Sequence, residues 1–395
     1  MTARDLPGAP SSQPPGEGPP PVVEPNAPGA SGPPGASGTE DAENATFWGG
    51  TDGEGEPKRK RRWPRVLIAV GVFFALVVAG LGGLVWQRQS SYNGNINRIP
   101  GVMPEAGAQR PGPNMKGTEN WLLVGSDARA DAATTGEGND VWKPGQQRTD
   151  TIMLLHLPAD RKKAYVVSFP RDSWVDIPGY GNQKINAAFS FGGPKLLIET
   201  MESLTGVRID HYGAIDFEGF ESMTDALGGV TVNIKQNVYD PMRKKQWTAG
   251  RQKLDGAEAL EFVRQRYNLP NGDFDRIKRQ QAFLGALAKQ AADRGTLTNP
   301  LKLDRFLSAL SKSISVDDGV SAGDLRSLAL SMRSVRASDV MFMTAPHKGS
   351  ARRGKQSVVL LDGKKAPALF EAVKTARMGE YVRQHGGGNN LGTVS

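Results

Sequence analysis

Three short apolar runs, at residues 121–124, 152–155 and 164–169, carry charge at their ends. Asp127 and Arg129 follow the first, Arg148 and Asp150 precede the second, and Arg171 and Asp172 follow the third. The runs have strand length and β-branched or bulky content, so the charged side chains fall where strands meet loops. Carboxylates and arginines delivered to such places suit a metal ion together with a polyanion. Mg2+ prefers one or two carboxylates plus phosphate oxygens, and the Arg fork matches phosphate bidentately. Surface ion pairing is the rival reading of the same charges.

A second constellation lies at 254–281, LDGAEALEFVRQRYNLPNGDFDRIKRQQ. Arg264 and Arg266 flank one residue and share a face if the backbone there is extended. The loop 268–274 supplies Asp273, and Asp275 reads as the N-cap of a long helix ending near 294. On that helix Arg276, Arg279 and Gln280 sit at i, i+3 and i+4, one stripe of one face. Arg276 also lies near the helix start, where free N–H groups and the macrodipole favour an anion.

Helical spacing continues at 194–205, 217–227, 255–263, 301–313, 322–333 and 366–376, and Asp255 with Glu258 has capping-box spacing. Further strands are expected at 211–215, 230–234, 340–344 and 358–361. Such alternation predicts an α/β fold, a mixed central β-sheet flanked by helices in α-β-α layers.

Lys and Arg outnumber Asp and Glu by 49 to 41, and there is no cysteine. That excludes disulfides, thiolate metal sites and cysteine catalysis. The four histidines show no zinc-ligand spacing, Gly125-Ser126-Asp127 lacks the nucleophile elbow of a serine hydrolase, and no base-reading motif argues for nucleic acid.

Residues 1–57 are rich in Pro, Gly, Ala and acids, a composition that predicts a disordered leader. Residues 58–65 carry six positive charges, and 66–86 carry none. As a helix that apolar stretch rises roughly 31 Å, enough to span a membrane. Its basic flank places the N-terminus in the cytoplasm and the body outside, in a single-pass topology. Residues 87–116 read as a polar linker, 117–383 as the globular body and 384–395 as a loose tail.

GSDAR (125–129), RTDT (148–151), SFPRD (168–172), KIN (184–186), LDGAEALEFVRQR (254–266) and DFDRIKRQQ (273–281), in this order and spacing, resemble the LytR-CpsA-Psr family. The resemblance implies an extracytoplasmic, membrane-anchored enzyme. Such enzymes move a glycopolymer from a polyprenyl-pyrophosphate carrier onto peptidoglycan, forming a phosphodiester link. It implies Asp127 and Asp150 as carboxylates for Mg2+, or for Mn2+ in its place. Arg148, Arg171, Arg264, Arg266, Arg276 and Gln280 would hold the pyrophosphate, with Lys184 beside it and Arg129 nearby. Asp273 matches an acid near the phosphates, either taking the acceptor's proton or orienting an arginine, so Asp273, Arg171 and Arg276 are the catalytic candidates. The insert 130–147 reads equally as a lid or as a plain surface loop.

A polyprenyl chain needs an apolar slot. Following the stripe of Arg276 and Gln280 down the helix brings up Phe283 and Leu287, as slot wall or as ordinary core. Two other functions share these residues: a pyrophosphatase with water as acceptor, and a non-catalytic glycopolymer-binding or regulatory wall protein.

Overall fold

The computed structural model describes residues 96–105, 107, 110–126, 149–293, 299–386 and 393–394. The leader, the basic cluster and the span expected at 66–86 lie outside them, as do Asp127, Arg129, Arg148 and the insert 130–147. Among the described residues no helix is long and apolar enough to cross a membrane.

In chain order the elements are β1 (Asn97–Ile99), β2 (Glu119–Ser126), β3 (Thr149–Leu157), β4 (Ala164–Phe169), β5 (Trp174–Ile177), β6 (Gly181–Lys184) and α1 (Ile185–Thr205). Then come β7 (His211–Ile215), α2 (Phe217–Ala226), β8 (Val230–Ile234), β9 (Val238–Asp240), β10 (Lys245–Trp247), β11 (Gly250–Leu254), α3 (Gly256–Arg264) and α4 (Asp273–Asp293). The chain continues through α5 (Pro300–Ser313), β12 (Ile314–Asp317), α6 (Ala322–Ser331), β13 (Val340–Thr344), β14 (His347–Arg353), β15 (Gln356–Leu361), α7 (Ala366–Lys374), α8 (Met378–His385) and β16 (Thr393–Val394).

A seven-stranded mixed sheet, in the order β1-β12-β7-β2-β3-β4-β13, forms the centre. Side chains alternate across a strand, and the two faces bury different partners. Leu122, Val124, Ile152, Leu154 and Val167 pack on one face with Ile185, Leu197 and Met201 of α1 and Leu369 of α7. Trp121, Leu157 and Val316 face the other way, toward Leu325 and Leu328 of α6. Met153, Val166 and Phe342 share that second face with Leu284 of α4. The expected mixed sheet between helical layers is therefore present. A smaller core of Val230, Val232, Trp247, Phe262 and Phe283 sits between the three-stranded sheet β11-β8-β16 and helices α3 and α4.

Two expected boundaries give way to non-local contacts. The linker read at 87–116 is folded into the body from Ile96: β1 pairs in parallel with β12, and Val102 is buried in the main core. Arg110 grips the buried Glu202 through two bonds of 2.8 and 2.6 Å. The tail read as loose at 384–395 returns a strand, because Thr393 and Val394 pair with Asn233 and Ile234 of β8 and Val394 is buried. The helix expected from 194 is the second half of α1, which is interrupted at Gly192 and Gly193.

Candidate functional site

The sequence turns its charged residues toward one cavity of about 570 Å3, bounded by β2, β3, β7 and helices α2 to α6. Its polar end holds Asp150, Arg171, Arg264, Arg266, Arg276 and Gln280, and its remaining wall includes Leu123, Met153, Phe220, Val263, Leu284 and Leu310. Gly213 keeps this space open. In the middle of β7 it faces Leu123, whose side chain would lie 3.3 Å from an added Cβ.

Each motif has a positioning reason. Arg171 follows β4, and the KIN segment holds its turn from behind: Ile185 N–H donates to Ser173 O (2.8 Å) and Asn186 N–H to Arg171 O (3.2 Å). At the helix, Gln281 Nε2 donates to Ser168 Oγ (2.9 Å) and Met343 O (3.0 Å), fastening the start of α4 across β4 and β13. The capping box of Asp255 and Glu258 starts α3 as expected. Arg264 is the last residue of α3, the next residue is extended, and the wholly buried Gln265 points inward to Tyr239 O and Tyr267 O. Arg264 and Arg266 are thereby turned together to the cavity. Arg264 lies over the Phe217 ring at 4.0 Å, and Arg266 over Tyr267 at 4.8 Å.

The charges form an asymmetric cluster. Arg171 bonds Asp150 and stands 3.7 Å from Asp273, while Arg276 Nη2 is 2.9 Å from Asp273 Oδ1. Burial works against the charge of Arg171, but Asp150 and Asp273 more than offset it and its pKa is raised. For Arg276 burial prevails, reinforced by Arg171 and only partly opposed by Asp273, so its pKa is lowered. The Nε atoms of Arg171 and Arg276 are buried without a hydrogen-bond partner. Arg171, Arg264, Arg266 and Arg276 against the carboxylates of Asp150, Asp216 and Asp273, with Arg243 matched by Asp240, still leave an excess of positive charge in a partly dry site, which suits a multivalent anion.

Several expected positions differ. Lys184 does not line the cavity; its Nζ pairs with Asp172 Oδ1 at 3.0 Å. Asp275 is not the N-cap: α4 begins two residues earlier, and the Asp275 carboxylate accepts from Asn271 N–H at 2.9 Å and pairs with Lys278. Arg279 turns away into the smaller core, fully buried over Phe262 at 4.5 Å and bonded to Gln265 Oε1 at 2.7 Å. Burial lowers its pKa to about 10.

Phe283 and Leu287 follow Arg279 rather than Arg276. Phe283 is buried in the smaller core and Leu287 packs against it, so neither is slot wall. The cavity face of α4 runs Arg276, Gln280, Leu284 in steps of four. Met242, Arg243 and Tyr267 at the polar rim were not picked out from sequence; β9 and β10, which flank two of them, are three residues each and carry no periodicity.

The LytR_cpsA_psr family model matches residues 90–375. The chain is 41% identical over 266 residues to the probable cell wall biosynthesis protein LcpB of Corynebacterium glutamicum, covering 66% of this chain and 62% of that protein. To the cell wall biosynthesis protein LcpA of the same organism it is 34% identical over 342 residues, covering 78% and 64%. It thus spans less than two thirds of the length of these relatives. The fold is shared with TagT bound to LIIa-WTA, with a TM-score of 0.53 and 23% identity, covering 68% of this chain and 95% of that one. With nearly three quarters of its length matched by the family model, and the motifs converging on one cavity, the chain belongs to the LytR-CpsA-Psr family.

Proposed function

We propose that this protein is a membrane-anchored, extracytoplasmic phosphotransferase that moves a glycopolymer from a polyprenyl-pyrophosphate carrier onto peptidoglycan through a phosphodiester link. The observation that carries this reading is the polarity gradient of the cavity, arginines and a carboxylate at one end and aliphatic and aromatic wall beyond. That gradient matches an amphiphile with a pyrophosphate head and a hydrocarbon tail. The cell wall biosynthesis role in the names of LcpA and LcpB, and the WTA ligand of TagT, support it.

In the reaction an acceptor hydroxyl oxygen attacks the sugar-linked phosphorus, a new O–P bond forms, and the bond to the distal phosphate breaks. Polyprenyl phosphate leaves, and the hydroxyl proton goes to solvent or a nearby base. Arg171, Arg264, Arg266 and Arg276 neutralise the charge that grows on the departing phosphate. Asp273 has both carboxylate oxygens within 3.1 Å of Arg276 Nη2, which suits orientation of that guanidinium better than proton abstraction.

Mg2+ or Mn2+ would be held by Asp150 together with Asp127, which lies outside the described residues. Among the described residues no three His, Cys, Asp or Glu side chains gather as a metal cluster. The hard oxygen donor that Asp150 presents in the cavity nevertheless fits a cation that takes most of its ligands from phosphate and water. Such an ion would supply charge neutralisation on the pyrophosphate.

The test is full-length protein in detergent with a polyprenyl-pyrophosphate glycan, peptidoglycan and Mg2+. Wall-linked glycan appearing together with free polyprenyl phosphate is the expected result. Cleaved carrier with all glycan soluble would make the protein a pyrophosphatase, and an intact carrier would make it a binding protein.

A further inference from the structure

We propose that the exposed aromatic pair Tyr180 and Phe191 is a saccharide platform that grips the acceptor glycan strand beside the anion clamp. The proposal rests on the transferase reading above and names how its second substrate is held. The β5–β6 hairpin pairs Trp174 with Lys184 at its base and Ile177 with Gly181 at its tip. At the base, Lys184 bonds Asp172, next in sequence to Arg171 of the clamp. At the tip, Gly179 and Gly181 have φ of 78° and 66°, and Tyr180 N–H donates to Ile177 O at 2.8 Å. An added Cβ would meet nothing at either glycine, so the backbone angle, not space, calls for glycine on both sides of Tyr180.

The partner ring is set by a second glycine device. A Cβ on Gly192 would lie 2.5 Å from the Cβ of Leu196. Gly193, at φ 65° and ψ −157°, is in a region that only glycine takes readily. The first part of α1 therefore stops right after Phe191, and Pro194 begins the second part. Tyr180 and Phe191 stack with ring centroids 4.8 Å apart at 21°, yet remain 52% and 37% exposed. Neither ring belongs to the main core. Two large rings held in register at the surface by four glycines mark a binding surface rather than packing.

The ligand chemistry follows from the shape. A pyranose ring offers a flat face of C–H groups, which an aromatic π cloud attracts, while its hydroxyls stay in water. Three register steps separate Lys184 from Gly181, about 10 Å along the strand. The platform thus lies about 10 Å beyond the hairpin base, where Asp172 adjoins Arg171 of the clamp, and the sugar it would hold is one further along the acceptor strand than the reacting one. The donor is already gripped by its pyrophosphate and its tail. The acceptor strand has neither handle and needs a neutral one.

The test uses full-length protein in detergent with chitotetraose as the probe, read by calorimetry, alongside the transfer assay. Tyr180→Ala and Phe191→Ala should each weaken chitotetraose binding about tenfold. Tyr180→Trp, which keeps a ring, should bind as wild type. In the transfer assay Tyr180→Ala should raise the KM for peptidoglycan by a similar factor and leave the donor KM alone. Melting temperatures separate a loosened hairpin from a lost ligand. Unchanged chitotetraose binding in Tyr180→Ala, a folded Tyr180→Trp that does not bind, or a rise in donor KM instead would each overturn the platform. Ring-dependent chitotetraose binding by a protein with no transfer activity would sink the transferase reading alone.

Discussion

Asp273 and Arg276 stand one turn apart on α4, Oδ1 of the acid 2.9 Å from Nη2 of the base, and the same oxygen faces Arg171 at 3.7 Å. One carboxylate thus stands between two largely buried guanidiniums. Asp273→Ala leaves them facing each other with Asp150 as the main remaining compensation and a smaller contribution from Asp172. We expect a loss of about 1–3 kcal/mol in stability together with a fall in transfer rate. Asp273→Asn, which keeps the shape and an acceptor oxygen, should recover part of the stability and less of the rate. Equal activity in Asp273→Asn and wild type, measured by released polyprenyl phosphate, would show that the negative charge does nothing.

On the proposed reading, removing one clamp guanidinium deletes a charge-assisted contact to phosphate in a partly dry site. Arg171→Ala, Arg264→Ala and Arg276→Ala should each cost about 2–4 kcal/mol in kcat/KM. Lys at these positions should restore only a part, because it lacks the fork. Arg333 and Arg352, outside the cavity, should be near neutral when changed to Ala. A uniform loss at all five positions would point to net charge rather than to the clamp.

The two faces of α4 make opposite forecasts. Phe283→Ala empties part of the smaller core and should cost about 3–5 kcal/mol of stability. Leu284→Trp narrows the apolar end of the cavity; it should leave the melting temperature nearly unchanged and discriminate against long-chain carriers relative to short ones. A large drop in melting temperature for Leu284→Trp, with no chain-length effect, would remove the lipid from the cavity.

His156 gives the fold a pH dependence. Burial, with help from Arg161, depresses its pKa to about 4, and its Nδ1 lies 2.8 Å from Asn120 Oδ1. The unfolded chain takes up this proton near pH 6.5, the folded one only near pH 4. Stability is therefore full above the unfolded value and is lost as pH falls between the two, by up to about 3 kcal/mol. Urea melts at about pH 7 and about pH 5 should differ more for wild type than for His156→Gln, which cannot titrate. The same difference in both proteins would assign the effect elsewhere.

If a divalent cation works beside Asp150, chelation should stop transfer reversibly, and Asp150→Asn should raise the Mg2+ concentration for half-maximal rate. Asp150 also bonds Arg171, so a pure loss of kcat at unchanged Mg2+ dependence would assign it to arginine positioning alone.

Strands β2, β3, β4, β7 and β13 of the central sheet, and β8 of the smaller one, were legible because they are apolar runs whose burial depends on few choices, and α3 announced itself through Asp255 and Glu258. The β5–β6 and β9–β10 hairpins were not, since strands such as Gly181–Lys184 and Lys245–Trp247 are short and largely polar. The packing of Val102, the grip of Arg110 on Glu202 and the pairing of Val394 are contacts between distant segments, on which local spacing is silent. Within the site Arg171, Arg264, Arg266 and Arg276 could be named from their motifs, whereas Arg243 could not. The apolar residue that continues the cavity wall could not: from Gln280 a step of three reaches Phe283 and a step of four Leu284, and only the position of the smaller sheet decides between them.

Because Ile96 is already part of the folded body, the proposed topology leaves nine residues, 87–95, between the expected span and the domain. Fully extended, they reach about 32 Å. The enzyme would then work on a short leash, sweeping a shell about as deep as the bilayer core is thick. Carriers arriving in the outer leaflet and the innermost glycan strands would share that shell. Older wall farther out would be spared by distance alone, so the timing of attachment would be written into the place where β1 joins the sheet.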